Sequence, residues 1–214
     1  MLRRLFEAYL RRRFAWLLAL LLAAIGIDPV LEASGVHGTA LEWMLGFGLL
    51  AAAAGAWRSR GARVLVPSLG AFLVLGAVLH VARFGPGPSL APAVLGGAGL
   101  AMAAFLVNGV LAEGPVDMER ICAALCVYLL AGIAFGGLFA ALDAIRPGSL
   151  TGPAPIGLDG AVYFSFVTLA TLGYGDIAPA ASATRALAVL EAVFGQLYLA
   201  VLIARLVSLY ARER

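Results

Sequence analysis

Thr171-Leu172-Gly173-Tyr174-Gly175-Asp176 alternates two glycines with residues that carry side chains. A strand whose successive carbonyls all point one way needs a backbone that alternates in hand, including φ > 0, and glycine reaches that region without steric penalty. The carbonyls of Thr171, Leu172, Gly173, Tyr174 and Gly175, with the Thr171 hydroxyl below them, can then stack as successive oxygen rings around a dehydrated cation. One strand cannot close such a cage. With a single copy of the motif in the chain, the default is four identical subunits around an axis, each contributing one strand. Asp176 follows as a carboxylate at the outer mouth, where it either concentrates cations by field focusing or is simply a solvated loop acid.

The elements that must carry this strand are apolar. Hydrophobic residues make up 63% of the 214 residues and charged residues 13%, with mean hydropathy +0.99, more apolar surface than a water-soluble core can hide. Runs long enough to cross a ~30 Å bilayer at ~1.5 Å per residue extend over Phe14–Leu31, Ala40–Trp57, Val64–Ala82, Leu90–Ala112, Ile121–Leu142 and Ala186–Leu209. Gly160–Thr171 is too short to cross and directly precedes the glycine motif, so it reads as a re-entrant half-helix. Asp159 is expected to supply its N-cap. Its carboxyl end would aim a partial negative charge at a cation below the strand. Asp143 to Gly157 is rich in Pro and Gly and is expected to be an irregular outer loop.

All 15 basic residues are arginine. With the amino terminus inside, the expected topology leaves Arg83, Arg146 and Arg185 outside and the rest on the cytoplasmic side, as the positive-inside rule requires. This reading puts a multi-pass protein in the cell membrane with both termini cytoplasmic, in contact with membrane lipids. The net charge of +3 is then a topology signal, and no nucleic acid is expected because no basic stripe is interleaved with stacking aromatics. Residues 1–13 read as a basic amphipathic segment on the inner leaflet, 14–113 as a four-helix region, and 117–210 as a unit of helix, half-helix, strand and helix, with the break at Gly114-Pro115. Glycines at 96, 97, 99, 132, 136 and 137 mark close helix approaches. Cys122 and Cys126 match no zinc or thioredoxin spacing and read as small packing residues.

From Tyr163 to Leu206 the chain resembles the pore domain of the two-helix potassium-channel superfamily, in YFSFVTLATLGYGDIAP and in EAVFGQLYLAVLIARLV. The resemblance implies an all-α membrane protein of six transmembrane helices plus a re-entrant pore helix and selectivity filter, assembled as a tetramer. It implies passive passage of K+, held at Thr171, Leu172, Gly173 and Tyr174, with no cofactor and no enzymatic activity. The six-span plan looks like that of voltage-gated relatives, but Leu90–Ala112 carries none of the arginines that serve them as gating charges, so opening should be largely voltage-independent. Leu172 stands where Val is more usual, and Phe164 and Ser165 stand where many relatives have a Trp that steadies the filter tyrosine. Gly195 occupies the position of the family's inner-helix hinge, although close helix packing explains a glycine there equally well.

Counting from Gly195, the residues Gln196, Leu199, Ile203 and Val207 recur at helical spacing as an expected pore-facing stripe, with Ile203 and Val207 as a dewetting constriction. Glu191 lies four residues before Gly195, where a carboxylate at membrane depth is expensive without a partner. It should turn toward the back of the filter and support it with Thr168 or Tyr163, accepting bonds if ionised or donating one if protonated. The alternative is an acid snorkelling to the outer interface. A nonselective cation channel of the same architecture is the competing function. A membrane enzyme or accessory protein is more remote, because His37, His80, Asp143 and Glu191 have no catalytic spacing and no HExxH, GxSxG or phosphate loop is present.

Overall fold

The computed structural model describes residues 12–33, 91–111, 118–153 and 156–212. The runs Ala40–Trp57 and Val64–Ala82, the basic segment before Arg12, His37, His80 and the break at Gly114-Pro115 lie outside the described residues. Five helices and one two-stranded ribbon are described: α1 Arg13–Ala33, α2 Ala91–Leu111, α3 Met118–Ile145, β1 Leu150–Thr151, α4 Leu158–Leu169, β2 Ala178–Pro179 and α5 Ser182–Arg212. Met118–Ile145 and Ser182–Arg205 are long and apolar enough to cross a membrane. The described part is thus mostly helical with one short ribbon, and two helices of membrane-crossing length are described where six spans are expected.

The contacts fall into two compact units, one holding the described residues 12–33, 101–111 and 118–130, the other 91–100, 131–153 and 156–212. In the first, Glu119 Oε2 accepts a 3.0 Å bond from the backbone N–H of Phe14. An N–H in the first turn of α1 has no partner within its own helix, so a carboxylate from the start of α3 satisfies it. Cys122 and Cys126 are buried free thiols, and the Cys126 thiol donates to the Phe14 carbonyl at 3.6 Å.

The second unit is built around α4. Gly132 and Gly136 are one helical turn apart on α3, and so are Phe166 and Val162 on α4. A Cβ at Gly132 would stand 2.6 Å from the Phe166 ring, and one at Gly136 would stand 2.6 Å from Val162 Cα. The partners descend on α4 as the glycines ascend on α3, so the two helices run antiparallel. Their backbones approach closely because no side chain holds them apart, the packing route open to apolar helices. Above this contact Phe139, Ala140, Leu150, Ala161 and Phe164 form a buried cluster with Phe135, Ile156, Leu158, Ile177, Leu187 and Ala188 packed on it. The Phe139 and Phe164 rings meet edge to face, 4.9 Å between centroids and 75° between planes, a geometry that the ring quadrupoles favour.

Two boundaries differ from expectation. Asp143 belongs to α3, which runs on to Ile145, and the segment that follows is not wholly irregular: Leu150 pairs with Pro179 and Thr151 with Ala178, antiparallel. Asp143 Oδ1 accepts from the Leu150 N–H at 3.0 Å, and the Thr184 hydroxyl donates to the Ser149 carbonyl at 2.8 Å. The Ser149 carbonyl also accepts from the Ala180 and Ala181 amides. Prolines and glycines here set the turns, and sequence-distant polar groups lock them into one shape.

Candidate ion-conducting site

Three residues of the glycine motif have positive φ: Thr171 at 57°, Gly173 at 61° and Gly175 at 80°. They are alternate residues, so the backbone hand reverses at each step, as a row of carbonyls facing one way demands. The glycines adopt this at no steric cost; Thr171, with a β-branched side chain, does so against its preference and must be held there by its surroundings.

The holding groups are backbone carbonyls at the end of α4. Thr171 N–H donates to Thr168 O at 3.0 Å, Leu172 N–H to Val167 O at 2.9 Å, and Gly173 N–H to Val167 O at 3.4 Å. In a planar trans peptide the N–H and the preceding C=O point in opposite directions. Turning these amides toward the helix therefore turns the carbonyls of Ala170, Thr171 and Leu172 away from it. The same bonds satisfy helix-terminal carbonyls that would otherwise have no partner.

At the far end of the strand, Tyr163 O–H donates to Asp176 Oδ2 at 2.8 Å. This bond, opposed by desolvation and helped by the backbone N–H groups of Ile177 and Asp176, holds the Asp176 carboxyl below the usual carboxylate range. Tyr163 and Val167 are four apart and share one face of α4, so one helix face clamps both ends of the strand. Phe164 and Ser165 face elsewhere: Phe164 is in the core cluster, and Ser165 is buried against α3 and α5. The side chain that reaches the far end of the strand thus comes from Tyr163, one position before the Phe164 and Ser165 that stand where relatives carry Trp.

Asp159 does not cap α4. Gly157 is the N-cap residue, without a side-chain bond, and Asp159 sits inside the first turn, where its charge still complements the helix dipole.

Glu191 is fully buried, and its Oε1 lies within hydrogen-bonding distance of Ser165 Oγ, while Oε2 has no partner. Glu191 is thus buried within the chain, and its hydrogen-bond partner is Ser165 rather than the expected Tyr163, which is engaged with Asp176, or Thr168. The helical phase pointed toward α4; only the packed structure selects Ser165.

Gly195 is buried, and a Cβ there would lie 2.7 Å from the Leu169 carbonyl oxygen. The missing side chain is required by close approach of α5 to the end of α4, and α5 is continuous through this point. Gln196 and Ile203 are exposed within one chain and Leu199 is half-buried; the Val207 side chain lies outside the described residues. Val189, Val193, Leu197 and Val201, each one turn from the next, are more than half exposed, leaving an apolar face that a single chain does not cover.

Residues 128–212 match the family model described as "Ion channel". No curated protein and no solved structure matched the chain in the corresponding comparisons. The matched segment contains α3 from Tyr128 onward, the whole of α4, the glycine motif and α5. It supports an ion channel that works in a membrane, and the two apolar helices agree with a membrane setting.

Proposed function

We propose that the chain is a potassium-selective channel that passes K+ passively through a filter of Thr171, Leu172, Gly173, Tyr174 and Gly175 carbonyls. The observation that carries this reading is the alternation of positive φ at Thr171, Gly173 and Gly175, together with amides tied back to Val167 and Thr168. Backbone preorganised in this way replaces an ion's hydration shell without reorganising when the ion enters. A strand exposed along its length within one chain is completed by copies of itself, and the apolar face of α5 gives those copies and the lipid something to cover. The proposed assembly is a homotetramer with six spans per subunit, both termini cytoplasmic, and Asp176 at the outer mouth. Ile203 and Val207 narrow the inner end.

Purified protein in planar bilayers under a potassium gradient tests this directly. A reversal potential near the potassium equilibrium value is expected. A sodium-to-potassium permeability ratio near one would leave a nonselective cation channel of the same architecture.

A further inference from the structure

Ser165 Oγ lies within hydrogen-bonding distance of two oxygens, the Gly132 carbonyl oxygen at 2.6 Å and Glu191 Oε1. A close approach of two oxygens needs a proton between them, since lone pairs otherwise meet. Two such approaches need two protons. The serine hydroxyl carries one, the Gly132 carbonyl carries none, and the remaining source is the Glu191 carboxyl.

We infer that Glu191 is a neutral carboxylic acid that donates to Ser165 Oγ, which in turn donates to the Gly132 carbonyl, forming a one-way proton chain from α5 through α4 to α3. This deepens the filter reading above and rests on it for its consequence.

An ionised Glu191 has no satisfactory arrangement here. If Ser165 donates to the carboxylate, its lone pairs face the Gly132 oxygen; if it donates to Gly132, a buried charge is left with no bond. Glu191 Oε2 is already without a partner, a tolerable condition for the C=O of an acid and a costly one for a carboxylate. The other titratable groups on the surrounding elements are Glu119, Arg120, Cys122, Cys126, Tyr128 and Asp143 on α3, Asp159 and Tyr163 on α4, and Arg185, Tyr198, Arg205, Tyr210 and Arg212 on α5. The hydrogen bond at Glu191 Oε1 is with Ser165, and Oε2 has none.

Ser165 is two residues from both Tyr163 and Val167, about 200° around the helix at 100° per residue. The chain therefore grips the back of α4 while Tyr163 and Val167 hold the filter at the front. Glu191 is a positioning residue: it sets the rotation of α4 and, through it, the filter amides tied to Val167.

Infrared difference spectra of the full-length protein in nanodiscs, with and without ¹³C-labelled glutamate carboxyls, test the protonation state at neutral pH. The expected result is a protonated-acid band that shifts with the label and is lost in Glu191→Gln. Single-channel recording supplies the second readout. Glu191→Ala and Ser165→Ala should shorten open times, and Glu191→Gln, whose amide N–H replaces the acid O–H, should restore what Glu191→Ala loses. No label-sensitive acid band in the wild type, a band unchanged by Glu191→Gln, or a Gln variant no better than Ala would each overturn the inference. The infrared result needs only intact protein, so it stands or falls separately from potassium selectivity.

Discussion

Tyr163 O–H reaches 2.8 Å across to Asp176 Oδ2, tying the first half of α4 to the exit of the strand that the end of α4 holds at its entrance. Because the carboxylate accepts this bond, the bond favours the ionised form. With the folded value lowered below the usual ~3.9, Asp176's contribution to stability is present above that usual value and is lost as pH falls through the lowered one. The link should therefore persist in mildly acidic solution and fail only in strong acid. Tyr163→Phe should move the Asp176 titration back up toward the ordinary range and speed amide hydrogen exchange at Ile177. Titration of Asp176 by NMR in wild type and variant checks this; an unmoved midpoint would show that the bond does not form in solution.

Gly173→Ala should abolish selective conduction. Within one chain a Cβ at Gly173 meets nothing within 4 Å, so the penalty there is conformational, about 1–2 kcal/mol for an L-residue held in the left-handed region. Potassium flux into liposomes measures the loss, and retained flux would show that φ of +61° at this position is dispensable.

Gly195→Ala should fail for a different reason. Here φ is helical but the added methyl would sit 2.7 Å from a backbone oxygen of Leu169 and 2.9 Å from its side chain. Backbone cannot swing aside as a side-chain tip can, so a destabilisation of about 1–3 kcal/mol is expected, typical of overpacking. Thermal unfolding in detergent reads it. If the glycine served only as a hinge, stability would stay unchanged while opening kinetics slowed.

Phe164→Ala should cost about 3–5 kcal/mol, as removal of a buried aromatic does, since Phe164 fills the cluster with Phe139 and Leu150. The same unfolding assay should show a loss larger than that of Gly195→Ala. A shift of under a degree would mean the site collapses without a cavity.

Opening should depend little on voltage. The helix Ala91–Leu111 contains no charged residue, and a field of 100 mV supplies ~2.3 kcal/mol only per elementary charge moved. Current–voltage relations in symmetric potassium should be near-linear; steep activation over a few tens of millivolts would contradict this.

The glycine motif, the apolar runs of α3 and α5 and the short helix before the motif were legible in the sequence because each depends on local properties: dihedral freedom, hydropathy and length. Glycine spacing on α3 announced close packing for the same reason, although not against which partner. What only the tertiary structure decided are the pairings between residues far apart in the chain. Asp159 looked like a cap, but the chain enters α4 through Gly157. Tyr163, and not Phe164 or Ser165, reaches the strand exit, because one residue of helix turns a side chain by ~100° and the packing of α4 sets that phase. Ser165 became the partner of Glu191 by the same rotation, with Gly132 brought to its other side by the antiparallel contact of α3. Local sequence specifies which groups can hydrogen-bond; which of them meet depends on how the helices rotate and slide to bury their apolar faces, a choice made by all the contacts together.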